Sequence, residues 1–226
     1  MSTPVYRLAR TNRLVAAGLW LAAAAVYLLA EGVSAAAFSP PYSYAQNYIS
    51  DLGVAVCGQA FGGRAICSPF HDLMNTGFIV QGLLFFAAAV FAARTVTSRA
   101  RYALVALAAV NCIGISLVGI FHEAAATQAN ATLKYHVLGA FLAIVAGNAT
   151  ALASSALSRE LGLPPFHRMA SVILSIVGVV GLVMLIVAQA RGTVTLVPDG
   201  VWERTSVYTI TAWEVVTGVG LLAGRR

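Results

Sequence analysis

Charge is what this sequence has least of: Asp, Glu, Lys and Arg make up 10% of its 226 residues, against 59% hydrophobic residues and a mean hydropathy of +0.82. That balance excludes a water-soluble globule with an ordinary polar surface. The sequence also lacks GxxxxGK[ST], and it has no strand to carry a GxGxxG, which removes the phosphate-cradling loops. GxSxG and HExxH are absent, so neither a serine elbow nor a zincin helix is encoded. No internal repeat, low-complexity tail or soluble-domain linker breaks the pattern.

What is present is apolar length. A hydrocarbon core of about 30 Å takes about 20 apolar helical residues to cross. Six runs qualify: Leu14 to Phe38, Met74 to Ala93, Tyr102 to Phe121, Leu133 to Leu157, Met169 to Ala190, and Val207 to Ala223. They predict an all-α, polytopic bundle of six transmembrane helices, one domain over residues 1–226, multi-pass in the plasma (inner) membrane. An Arg-rich start followed by Ala35-Ala36-Ala37 also fits a cleaved secretory signal. The apolar stretch is longer than the roughly 7 to 15 residues of a signal core, however, and its loss would leave five spans.

Orientation follows from cations. With six spans, Arg7, Arg10, Arg13, Arg94, Arg99, Arg101, Arg159, Arg168, Arg225 and Arg226 share one side, and Arg64, Lys134, Arg191 and Arg204 the other. Positive charge stays on the cytoplasmic side of short loops, so both termini are expected there, with the one long loop, Ser39 to Asp72, outside. Topology then accounts for the net charge of +6, and no nucleic-acid partner is expected. Membrane lipids are the expected partners; the sequence identifies no protein partner.

The long loop holds Cys57 and Cys67, ten positions apart, which an extracytoplasmic compartment lets pair as a disulfide. Cys112, mid-span, reads as a core residue. After Pro40-Pro41, the run Asn47 to Gly53, NYISDLG, combines amide, hydroxyl, carboxylate and turn glycine. It reads as a descent back toward the membrane, followed by a flexible glycine loop at Gly58, Gly62 and Gly63. Ser50 reads as a cap rather than a nucleophile.

Titratable groups gather on the outer side: Asp51, His71, Asp72, His122, Glu123, His136, Asp199, Glu203 and Arg204. Zinc or another divalent metal is one reading, with His71, His122 and His136 as ligands and Asp51 or Asp72 beside them. Interfacial hydrogen bonding is the plainer reading of the same histidines. Metal-free acid/base or ion-pair chemistry is a further one, with Glu203 and Arg204 at the mouth and Glu214 below. Glu214 could equally fix helix register through Asn111 or Asn148.

The order YISDLG after the first helix, an Asn-containing start to the second, GIFxE closing the third, HxxGA opening the fourth, and ER before a last helix with Trp213-Glu214 resembles the prokaryotic domain-of-unknown-function 998 family. More distantly it is similar to the DRAM and Sfk membrane proteins, some of them associated with lipid handling. The resemblance marks Asp51, Gly53, Asn75, Glu123, His136, Glu203, Arg204 and Glu214. His122 stands where the pattern has proline and His71 falls outside it, which counts against a shared three-histidine zinc site.

The expectation is an outer polar pocket walled by the second, third, fourth and sixth helices and covered by the Cys57 to Cys67 loop. It would bind, and modify or transfer, a lipid or lipid-linked headgroup. Asp51, Glu123, His136 and Glu214 form the expected catalytic set, and Asn47, Ser50, Asn75, Glu203 and Arg204 the substrate-binding set. The alternative is a non-enzymatic carrier or complex subunit built on a mid-membrane relay of Glu214, Asn111 and Asn148.

Overall fold

A computed structural model of the chain describes residues 4–61, 64–123 and 131–224. Six helices carry the architecture: α1 (Pro4–Ala36), α2 (His71–Ala93), α3 (Ala100–Ile120), α4 (Leu133–Leu157), α5 (Pro165–Arg191) and α6 (Asp199–Ala223). All six are long and apolar enough to span a bilayer. Short connectors make sequence neighbours antiparallel partners. Each helix packs on the next and α6 returns to α1, so the six close into a ring.

Small residues set the closest approaches. A Cβ on Gly114 of α3 would stand 2.7 Å from the Gly139 carbonyl of α4, and one on Gly139 equally near that of Gly114, so the two backbones meet directly. In the half of the ring nearer the termini, Trp20 and Trp213 pack edge to face at 5.2 Å, with Phe85 against Trp213. The Trp213 indole donates to Ser154 Oγ at 2.9 Å. At that end Glu160 caps the turn between α2 and α3, accepting from the Thr97 and Ser98 amides.

The apolar runs located the helices but not their ends. α1 begins ten residues before Leu14, and α6 begins at Asp199 rather than Val207. Hydropathy does not register a polar helical extension, and Pro198 starts this one. The extension matters, because it places Glu203 on a helix above Val207, Ile210, Thr211 and Glu214 at spacings of four, seven, eight and eleven, on one face.

The long connector departs from the expected flexible glycine loop. Gln59–Phe61 (β1) and Arg64–Ile66 (β2) pair antiparallel as a hairpin, closed by the expected disulfide between Cys57 and Cys67. Gly62, Gly63, Arg225, Arg226 and the polar residues Thr127, Gln128 and Asn130 lie outside the described residues. Before the hairpin, the chain descends as read. Ser50–Gly53 forms a 3₁₀ turn, and Ile49, Leu52 and Val54 are buried with Tyr27, Met74 and Phe78. The connector is therefore a plug seated in one end of the ring.

Candidate functional site

An irregular backbone among membrane helices must satisfy its polar groups inside the protein. In the plug, side chains do this residue by residue. Asp51 accepts from the Tyr48 amide and from Asn47 Nδ2, both at 3.0 Å. Arg64 of the hairpin binds the same carboxylate through two bonds of 2.9 Å. Arg204 donates to the Asn47 carbonyl at 2.6 Å, and Tyr42 to the Tyr48 carbonyl at 2.8 Å. Ser68 donates to the Leu52 carbonyl at 2.6 Å and Asn75 to that of Gly53 at 2.9 Å. The Ile49 amide donates to Glu203.

Arg204 is the centre of a second knot. It pairs with Glu31 at 3.4 Å, bonds the Tyr42 hydroxyl, and stacks near the Tyr42 and Tyr44 rings. Tyr208 donates to Glu31 at 2.8 Å. Asp51 is thus a buried carboxylate with a full set of partners, whereas Glu31 accepts from Arg204 and Tyr208 through Oε1 and keeps Oε2 without a partner among the described residues. Asn47, Asn75 and Arg204, expected to touch substrate, instead bind the plug backbone. The reason is arithmetic: a buried loop exposes more carbonyls and amides than it can pair by itself.

Glu123 and His136 behave differently. His136 Nδ1 lies 2.9 Å from the Phe121 carbonyl, which only accepts, so Nδ1 carries the hydrogen. Nε2 then faces Glu123 Oε1 at 3.4 Å. Among the described residues, Glu123 Oε2 is buried without a partner. Burial, and next the charge of Asp51, push the Glu123 carboxyl up to about 7, with Arg64 opposing.

Two cavities meet beside this pair. One, of about 60 Å³, runs down between α2, α3, α4 and α6, past Phe78 and Val118, to Gln81, Asn111 and Thr211. The other, of about 130 Å³, reaches Glu123 and passes between α4 and α5 along Val137, Phe141, Leu182 and Ile186. Ser50, His136, Ala140, Ile144 and Glu203 line both. The shared chamber is walled by α2, α3, α4 and α6 as expected from sequence, with α5 added.

The expected catalytic set is only partly assembled. Glu123 and His136 come together, whereas Asp51 is saturated by Arg64, Asn47 and the Tyr48 amide. Glu214 lies deeper, accepting from Gln81 at 2.7 Å with its Oε2 buried and unpartnered. The relay through Asn111 and Asn148 is not formed: Asn111 donates to the Ala143 carbonyl, and Asn148 to those of Ile144 and Ser206. Nor are His71, His122 and His136 gathered. His71 bonds the Ser68 carbonyl and pairs with Asp72 at the start of α2. Among the described residues, no group of three or more His, Cys, Asp or Glu is placed to hold a metal ion.

Arg64, Gln81 and Tyr42 were not expected as organising residues, whereas Glu31, readable from sequence as either an interface carboxylate or a member of a polar cluster, is the latter. Arg64 carried a signal, being a cation on the side where topology puts few. Gln81 carried another, as an amide within an apolar span.

A ring of six helices long and apolar enough to span a bilayer, plugged at one end by its own loop and burying Glu31, Asp51, Glu123 and Glu214, defines a polytopic membrane protein. The chain belongs to the family described as "Protein of unknown function (DUF998)", whose model matches residues 21–220. No curated protein and no solved structure matches it.

Proposed function

We propose that the chamber receives the head of a membrane amphiphile, a lipid or lipid-linked molecule, from the extracytoplasmic leaflet, and that the Glu123–His136 pair serves its modification or transfer. One observation carries this reading: the polar meeting point of Ser50, His136 and Glu203 continues sideways into an apolar passage between α4 and α5. Val137, Phe141 and Ile186 along it are exposed on the outside of the ring, where acyl chains would lie. A head can thus enter sideways while its chain stays in hydrocarbon. The His136 imidazole facing the Glu123 carboxyl at 3.4 Å equips the chamber to give or take a proton at the bound head.

Native mass spectrometry of the purified protein tests this. Ala140 lines both cavities, so Ala140→Trp fills the junction. Wild-type protein should retain co-purified lipid, Ala140→Trp should lose it, and Val219→Trp on the exposed face of α6 should keep it. Equal retention by all three, each eluting as a folded species in gel filtration, contradicts the reading.

A further inference from the structure

Resting on the reading of the chamber as an amphiphile site, we infer that the head it selects is cationic, an amine or quaternary ammonium group, and not a phosphate or an uncharged polyol. Among the described residues, no Lys or Arg lines either cavity, whereas Glu203 lines both and Glu123 lines the lateral one. The nearby guanidiniums are committed elsewhere: Arg64 is bound twice by Asp51, and Arg204 is held by Glu31, Tyr42 and the Asn47 carbonyl. An anionic head would meet two carboxyls and gain no cation. A cationic head would meet Glu203 and the buried Oε2 of Glu123, an acceptor with no partner among the described residues.

The groups facing Glu123 also give binding a pH dependence. Asp51, whose charge Arg64 balances, favours the protonated form, and so does burial. His136 Nε2 lies 3.4 Å from Glu123 Oε1, His122 is a near neighbour of His136, and Glu203 is the second carboxyl whose charge Glu123 feels. An arriving cation displaces the proton, so binding tightens as pH rises through about 7.

The test uses full-length protein in maltoside micelles with Cys112→Ser and Ala140→Cys, and measures the rate at which a maleimide labels position 140. The probes are dodecylamine, dodecyl phosphate and decyl glucoside. An alkylamine stays charged at pH 8, as a lysine side chain does. Dodecylamine should slow labelling at least about tenfold at pH 8 and less at pH 6, the other two leaving it nearly unchanged. Glu123→Gln and Glu203→Gln, made singly and checked by gel filtration, should each weaken the protection. Equal or better protection by the phosphate or the glucoside, or undiminished protection in both Gln variants, overturns the cationic head while leaving the chamber as a binding site. Labelling that no probe slows overturns both readings. The wild-type chamber residues serve for the three-probe comparison, so a misfolded Gln variant does not remove the test.

Discussion

Asp51 and Glu123 lie at the same end of the ring, close enough for the charge of one to raise the pKa of the other, yet their surroundings are opposite. Around Asp51 four donors are directed at the carboxylate: two guanidinium nitrogens, an amide side chain and a backbone amide. Around Glu123 there is one imidazole at 3.4 Å and an oxygen with no partner. The contrast separates architecture from site. A saturated buried charge holds elements in place and has nothing left to offer a ligand. An undersatisfied one costs stability when its surroundings are empty and regains it from whatever binds.

The contrast can be broken most severely at Arg204. Replacing it by Met leaves Glu31 buried without its cation and the Asn47 carbonyl without its donor, which should destabilise by about 3–5 kcal/mol. Denaturant unfolding in detergent micelles reads this directly; a loss near zero would show that the knot does not hold the plug. The next effect is at the hairpin. Removing the disulfide with Cys57→Ser and Cys67→Ser frees a loop with a sequence separation of ten, worth about 2–3 kcal/mol in chain entropy, and loosens Arg64. The same unfolding experiment on the double variant should show that loss together with faster labelling of a cysteine at Ala140, because the plug borders the chamber. Unchanged labelling would uncouple the hairpin from the chamber.

Much of the fold was legible in sequence because apolar length is a coarse signal that a bilayer demands and little else supplies. All six spans were readable this way, and the disulfide from two cysteines ten positions apart in one loop. Helix ends were not, since the polar turn Asp199 to Ser206 continues α6 beyond any hydropathy window. The grouping of the site residues at one end of the bundle was legible by residue type but not by role. NYISDLG stood out as the richest polar stretch, and its richness turned out to be the cost of burying a loop: its side chains and those of Arg64, Asn75 and Arg204 satisfy backbone. Which of several carboxylates is saturated depends on partners remote in sequence, such as Glu31 with Arg204 across 173 positions, and no local spacing encodes that.

The most direct measurement compares Asp51→Asn with Glu123→Gln by equilibrium unfolding over a range of pH. Asp51→Asn should lose about 3 kcal/mol at pH 8, because Arg64 is left without its bidentate partner. Glu123→Gln should lose little or nothing there. In the wild type, Glu123 binds its proton more tightly folded than unfolded, so its contribution is fully present below about 4.5 and is lost as pH rises through about 7. Glu123→Gln should flatten that decline, and Asp51→Asn should keep most of it. Equal losses in the two variants at pH 8, with the pH slope intact in Glu123→Gln, would contradict the division of this end into a saturated plug and an undersatisfied chamber.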